Sequence, residues 1–521
     1  MPFQKVFALA GLCLFLPSLL VAQLTPQQAI GKQIFTSGSS PSTPPIEAIL
    51  GGGTSRIPGS LMPCASCHGA DGQGRPEGGV TPSNITWDVL QRPLTSSDPL
   101  ARRRPAYDIV ALRKAVRDGV DPAGNELGLT MPRFRMSDSD LDSLISYLHV
   151  LGSESDPGLT NSSIRIGTII AADGPLAATG AGFAALLQAY FKDLNREAGI
   201  YGRHIEFVTL AAKGRPAEVT AAAEKFVRDQ KIFALLGIVV PGAEKQVTEA
   251  MQRAGVPVIT PFASGSATDE DSDKSKVFYV LSGLSQQARV LVRFARQDME
   301  KPVSTIAVVF PEQYQDLADA TARECHSQTF ALVLQEKYSN FSAEAANMID
   351  SLRKAKVDGI LFLGDGKELH ELLLTAKQAN WSPAIFQPGA FAGGEVFDIP
   401  KEFDEQVYFS FPALPSDIRV EGLDEYEALV RTHELKVVQP LLSASALATG
   451  KVLVEGLRES GRQLSRQKLV DTLAAMYNFN TGLTPPVTFG ATRRIGALGA
   501  YVVKLDLKKK TLLPVDEWMA P

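Results

Sequence analysis

Cysteine is scarce, at four in 521 residues, and that count excludes a disulfide-stapled scaffold. Histidine is scarce too, at six. No G-x-S-x-G, P-loop or H-E-x-x-H motif is present, which removes the common hydrolase, NTPase and zinc-protease signatures. Positive charge is not in excess: 52 Lys and Arg stand against 57 Asp and Glu, for a net charge of −5. No segment resembles a basic arm, so nucleic acid is not an expected partner. Beyond the first 22 residues no uncharged apolar run is long enough to suggest a membrane helix. The chain is 45% hydrophobic and 21% charged, which excludes a disordered, collagenous or coiled-coil protein. At roughly 150 residues per domain, about three compact units are expected.

The amino terminus has its own character. Lys5 precedes an apolar run over 6–16, Pro17 breaks it, and Leu20-Val-Ala22 offers a small-residue cleavage site. Residues 1–22 are therefore expected to be a secretory signal peptide, placing the protein in the periplasm; the alternative is an uncleaved anchor. Cys13 falls inside that run, which leaves Cys64, Cys67 and Cys325. The remainder divides by texture. Residues 23–152 are rich in Gly, Pro and Arg, residues 153–163 form a polar linker, and residues 164–521 alternate β-branched runs with amphipathic stretches.

The most specific motif is Cys64-Ala-Ser-Cys67-His68. C-x-x-C-H is the pattern of covalent haem c attachment: the thiols form thioethers with the vinyl groups, and the adjacent imidazole binds the iron. A structural zinc would need four ligands, and no second pair stands nearby. A redox dithiol would want a βαβ setting, whereas the flanks are glycine-rich. For the sixth iron position the candidates are Met131 and Met136. Met136 has another use, because Ser137 reads as an N-cap, Asp140 as the third helical residue, and Met136 with Leu141 as a hydrophobic staple. Met131 lies in Leu129-Thr-Met-Pro132-Arg-Phe134, where Pro132 favours an extended turn. Met131 is the expected ligand and His149 the fallback. The basic group Arg102, Arg103, Arg104, Arg113, Lys114 and Arg117 reads as a solvated face, since residues 23–152 hold equal numbers of acids and bases; a docking rim is the alternative.

Together with Gly31-Lys-Gln-Ile-Phe35, Gly72-Gln-Gly74, Glu77-Gly-Gly79, the Met131-Pro132 loop and an amphipathic closing helix, this motif makes residues 27–152 resemble a monohaem class I cytochrome c. The resemblance implies a small all-α domain holding one haem c through Cys64 and Cys67, with His68 and Met131 as axial ligands. Both iron faces would then be filled, which favours electron transfer over oxygen chemistry. The departure is an insertion of roughly 20 residues, including Gly51-Gly-Gly53, ahead of the haem motif.

From residue 164 the pattern is strand, helix, strand, helix. Strands are expected at 164–170, 204–210, 232–240 and 256–260, and helices at 181–195, 216–230 and 242–254. The alternation restarts after 285, with strands at 304–310, 330–338, 358–364, 383–387 and 407–411. Two α/β sheets of similar size suggest two lobes facing across a cleft. Ile166-Gly-Thr-Ile-Ile-Ala-Ala-Asp-Gly174, Gly199-Ile-Tyr-Gly202, Gly255-Val-Pro-Val-Ile-Thr-Pro261, Gln286-Gln287 and Ile360-Leu-Phe-Leu-Gly364 resemble a type 1 periplasmic binding protein of the branched-chain amino-acid-binding kind. That resemblance implies a discontinuous first lobe that takes back the chain after about residue 412, three hinge crossings, a small-molecule solute, and an ABC importer or a sensor as partner.

The resemblance implies hydroxyl side chains after the third strand of lobe one, where this chain has Val240-Pro241-Gly242. Ser264, Tyr314 and Asp365 are the candidate solute-binding residues. Asp365 either pairs with an ammonium group or caps a helix. Phe262, Trp381 and Phe391 line an apolar site or pack the core. The expected whole is not an enzyme. It is an exported haem-c electron carrier fused to a solute-binding module, a redox-linked solute-binding protein with a periplasmic redox partner. The alternatives are an importer's binding protein with an accessory haem, and a haem oxidase or peroxidase.

Overall fold

The computed structural model describes residues 24–51, 53, 55–69, 71–74, 81–95, 102–152, 156–174, 176–262, 275–437, 440–515 and 517–521. The expected signal peptide and Ser264 lie outside the described residues. The chain forms two compact units, 1–154 and 155–521.

In the first unit α1 (Pro26–Ser37) opens on a capping box in which Thr25 and Gln28 satisfy each other's backbone amides. It is followed by β1 (Glu47–Leu50), β2 (Ser55–Pro58), α2 (Cys64–His68), α3 (Trp87–Leu90), α4 (Ile109–Asp118), β3 (Arg133–Arg135) and α5 (Asp138–Leu148). α1 crosses α5 at Gly31, where a Cβ would stand 1.9 Å from the Ser143 carbonyl oxygen. Only glycine permits that approach, and it lets Phe35 reach Tyr147 with ring centroids 5.6 Å apart. Ser137 caps α5 by accepting from the Asp140 amide at 3.1 Å. Asp140 is itself buried, accepting from the hydroxyls of Ser40 and Ser42. The unit is not purely helical. The insertion folds as the β1–β2 hairpin, and β1 also pairs with β3, so the sheet order is β2-β1-β3.

The second unit begins with β4 (Ser163–Ala171), α6 (Ala177–Arg196), β5 (His204–Ala212), α7 (Pro216–Asp229), β6 (Ala234–Val239), α8 (Glu244–Arg253), β7 (Val258–Phe262) and β8 (Val277–Leu281). It continues with α9 (Leu284–Arg293), β9 (Thr305–Pro311), α10 (Gln315–Ser327), β10 (Leu332–Tyr338), α11 (Phe341–Lys354), β11 (Gly359–Phe362), α12 (Gly366–Gln378), β12 (Ala384–Pro388) and β13 (Val407–Phe411). It ends with α13 (Val420–Thr432), α14 (Pro440–Ser460), α15 (Arg466–Ala474), β14 (Ile495–Ala497), β15 (Tyr501–Asp506) and β16 (Thr511–Pro514).

These strands form two sheets, β14-β8-β7-β6-β4-β5 in lobe one and β10-β9-β11-β12-β13-β15-β16 in lobe two. The central strands are buried on both faces, as the unbroken apolar run 233–236, wholly buried, requires. The chain returns to lobe one after β13, but not for good. β14 joins the first sheet, and β15 and β16 go back to the second, antiparallel to β13. Three crossings therefore link the lobes. The buried Ser282 hydroxyl ties the first to the third, donating to the Ala497 carbonyl at 3.0 Å and accepting from the Gly499 amide at 2.9 Å. Tyr501 ties the third to the second through a hydrogen bond to Asp417.

Candidate functional site

Each unit offers a candidate site among its described residues. In the first, a single helical turn, α2, places Cys64 and Cys67 three residues apart, and both are free thiols. Burial pushes the Cys64 thiol up to about 12, so it is not a thiolate nucleophile at neutral pH. His68 ends the turn, and its Nδ1 lies 2.9 Å from the Ser83 carbonyl oxygen. A carbonyl can only accept, so Nδ1 carries the proton and Nε2 keeps its lone pair. Burial holds the imidazole below its usual pKa, against the opposing effect of that hydrogen bond. The loop is built for this contact. The Gly74 amide donates to the His68 carbonyl at 2.7 Å, and at φ +87° a Cβ on Gly74 would strike the Pro82 carbonyl.

Met131 and Met136 are both half-buried against the core of this unit. Met136 sits at the mouth of α5 beside the Ser137 cap, with its carbonyl accepting from Arg117 at 3.3 Å. Met131 lies in a turn closed by its amide on the Gly128 carbonyl. Its own carbonyl accepts from Arg133, whose other guanidinium nitrogen donates to Leu127 at 2.8 Å. His149, the fallback ligand, lies against Trp87 with ring centroids 3.9 Å apart and Nδ1 on the Ile145 carbonyl. The donor set fits a haem c: two thiols on one turn, an imidazole held through Nδ1, and a thioether downstream. Met62, Ala65, Ile85, Trp87 and Ala111 pack, only partly buried, against the same core as Cys64, Met131 and Met136, and leave apolar surface of the kind such a group needs. Basic residues here do structural work. Arg104, 8% exposed, donates to the carbonyls of Arg92 and Val89, and Arg102, Arg113 and Arg117 pair with Asp121, Asp142 and Asp138.

The second site lies where strand succession reverses in each sheet, the place where ligands enter open α/β folds. In lobe one this is between β4 and β6, in lobe two between β9 and β11. The loops there carry Asp173 and Glu244 in lobe one, and Tyr314 and Asp365 in lobe two. The first turns of α8 and α10 approach each other, with Lys245 at 3.7 Å from Asp316. Tyr314 packs edge-on to Phe391 with centroids 5.1 Å apart. Burial raises the Tyr314 pKa, and the charges of Glu244 across the cleft and Glu368 beside it add to the effect. The Tyr338 hydroxyl donates to Glu368 at 2.7 Å.

Asp365 caps α12, its Oδ1 accepting from the amides of Lys367 and Glu368 at 2.9 Å each. Of the two readings of this residue, capping is the one its contacts display. Trp381 packs against the lobe-two core and Phe262 against the lobe-one core. Cys325 is fully buried while its neighbour His326 is exposed, so they make no nucleophilic pair. Glu244, Glu368 and Tyr338 went unnoticed in the sequence. The signal available was their position just past strands bordering a reversal point.

A family profile described as periplasmic binding protein matches residues 163–511, and one described as cytochrome c matches residues 61–152. A leucine-, isoleucine-, valine-, threonine- and alanine-binding protein of Pseudomonas aeruginosa is 25% identical over 343 residues, covering 64% of this chain and 88% of its own length. Among solved structures, the branched-chain amino acid transporter substrate-binding protein LivJ of Streptococcus pneumoniae, in complex with isoleucine, aligns with a TM-score of 0.53 at 18% identity. It covers 69% of this chain and 100% of that one. A fatty acid ABC transporter substrate-binding protein from Thermomonospora curvata aligns with a TM-score of 0.55 at 16% identity, covering 70% of this chain and 95% of that one. At these identities the structural matches establish the fold.

Proposed function

Because the chain belongs to the periplasmic binding protein family and carries a cytochrome c domain ahead of its binding module, we propose that it is an exported, redox-linked solute-binding protein. A cytochrome c domain implies covalently bound haem c, which supplies reversible one-electron exchange when bound. Cys64 and Cys67 would hold the macrocycle through thioethers. His68 Nε2 and Met131 Sδ would hold the iron, and the Ser83 carbonyl would orient the imidazole. With both residues holding the iron, the group would serve electron exchange in preference to oxygen or peroxide chemistry. The second module would close its lobes on a small solute by motion at the three crossings.

The observation that carries the reading is the Ser83-anchored His68 beside two free thiols, on the same chain as a two-lobed module. Transport is the second reading, favoured by the match along nearly the whole length of an amino-acid-binding protein. It gives the protein an ABC importer as partner and the haem an accessory role. Export to the periplasm accords with both; among the described residues no helix is long and apolar enough to cross a membrane.

The test is a spectroscopic and potentiometric titration of the haem-loaded, full-length protein. Low-spin spectra with the weak red charge-transfer band of methionine-ligated ferric haem are expected. Saturating solute should shift the reduction potential or the electron-transfer rate. A shift in neither, with a solute bound, would leave the transport reading in its place.

A further inference from the structure

Met131 ends a turn whose tip lies open to solvent. Gly128, Leu129 and Thr130 are all exposed, Leu129 by 66%. The two ends of the turn are better anchored. Leu127 is buried, and its amide donates to the Gly119 carbonyl at 2.7 Å. Pro132 is buried on the other side. One side chain joins those ends. Arg133 donates from one guanidinium nitrogen to the Met131 carbonyl and from the other to the Leu127 carbonyl at 2.8 Å. It closes the base of the exposed turn as a two-point clip, which a planar guanidinium fork makes and a single ammonium does not.

The surroundings are shaped for this clip. The backbone of Arg133 is fixed in β3, where it pairs with Ile49 of β1. Its guanidinium crosses the carboxyl end of α4 at Gly119, the left-handed cap of that helix at φ +69°. A Cβ on Gly119 would stand 1.7 Å from Arg133 Nε, so only glycine leaves the guanidinium its place. Neighbouring arginines are engaged otherwise. Arg102, Arg113 and Arg117 pair with Asp121, Asp142 and Asp138. Among the described residues, both hydrogen bonds of the Arg133 side chain go to the methionine segment.

We propose that Arg133 is the positioning residue for the iron's sulfur ligand: by clipping Leu127 to Met131 it keeps the exposed turn closed and shuts out external ligands. The proposal rests on the reading of Met131 as a ligand of bound haem c. Without the clip the turn would open more often. A competing ligand needs the open form, so its apparent affinity rises in proportion to the open fraction.

The experiment is an imidazole titration of the ferric, haem-loaded, full-length protein, followed by loss of the red charge-transfer band. Arg133→Gln should keep the band but bind imidazole about tenfold more tightly. Arg133→Lys, which can serve one carbonyl at a time, should fall between. Gly119→Ala crowds the guanidinium and should act in the same direction. Arg117→Gln is the control, because it frees the Met136 carbonyl and Asp138 instead; its imidazole affinity should match that of the unaltered protein. Unaltered affinity in a folded Arg133→Gln protein would overturn the clip while leaving Met131 as the ligand. An equal rise in Arg117→Gln would overturn it too, because general loosening would then explain the gain. Should Arg133→Gln not fold, Arg133→Lys and Gly119→Ala decide the question by the same titration, and unaltered affinity in both would overturn the clip. A band that survives Met131→Ala would remove the ligand reading and the proposal with it.

Discussion

Ala48 and Phe134 face each other across an antiparallel ladder, both buried. One belongs to the insertion ahead of the haem motif and the other stands three residues past Met131. The same register pairs Ile49 with Arg133, which holds the Met131 carbonyl. The insertion is thus the central strand against which the methionine turn is laid. A charge at its fully buried position 48 should loosen that turn. In Ala48→Glu, added imidazole should displace the methionine at about tenfold lower concentration, read from loss of the red charge-transfer band.

The two methionines should separate cleanly. Met131→Ala should abolish the charge-transfer band and admit imidazole or cyanide to the iron. Met136→Ala should keep the band and cost about 1–2 kcal/mol of stability, since it removes half of a helix staple. Visible spectra and thermal melts of both variants check this. The opposite pattern would reassign the ligand.

Gly31 and Gly182 offer a paired test of packing. Gly31→Ala places a methyl 1.9 Å from the Ser143 oxygen and should cost about 2–3 kcal/mol as α1 is forced off α5. Gly182, within α6, has no atom closer than 3.7 Å to such a methyl, so Gly182→Ala should be neutral or stabilise by about 0.5–1 kcal/mol. Denaturant titration followed separately at the haem and in the far ultraviolet distinguishes the two units.

Asp121 gives the haem unit an acid-sensitive hold. Burial pushes its pKa up, but hydrogen bonds from Asn125, Arg102 and the amides of Asn125 and Ala123 outweigh it and bring it down to about 2. A carboxyl depressed in the folded state stabilises above its ordinary pKa, and that contribution is lost as pH falls toward the folded value. Stability of the unit should therefore decline between about pH 4 and pH 2. Asp121→Asn should flatten the decline over that window and cost about 2 kcal/mol at neutral pH. Melting temperature against pH, for both proteins, is the measurement.

Much of this was legible in the chain. The haem motif is local, so five residues suffice to identify it. The alternation of β-branched runs and amphipathic helices located most strands to within two residues, and the strand Val407–Phe411 coincides with the expected 407–411. What escaped depends on distant pairing. β1 and β2 are four residues each and carry little periodicity; they become strands by meeting each other and β3. The final return of β15 and β16 to lobe two follows from a register with β13 some 90 positions earlier, which no window of sequence contains. Glu244 looked like any acid at a helix start. Its charge helps raise the pKa of Tyr314, a link that no window of sequence contains.

The threading of the second unit bears on the order in which a growing chain can be completed. Among the described residues, 26–148 make the strands and helices of the haem unit from one contiguous stretch. Lobe one lacks its edge strand until residue 497 has emerged, and lobe two until residue 514. An export channel delivering the chain from its amino terminus would therefore present a foldable haem unit while both lobes were still incomplete. Under the proposed function, haem attachment at Cys64 and Cys67 would be finished before the binding module exists to compete for chaperones. Either lobe produced alone from a single uninterrupted segment would lack part of its own sheet.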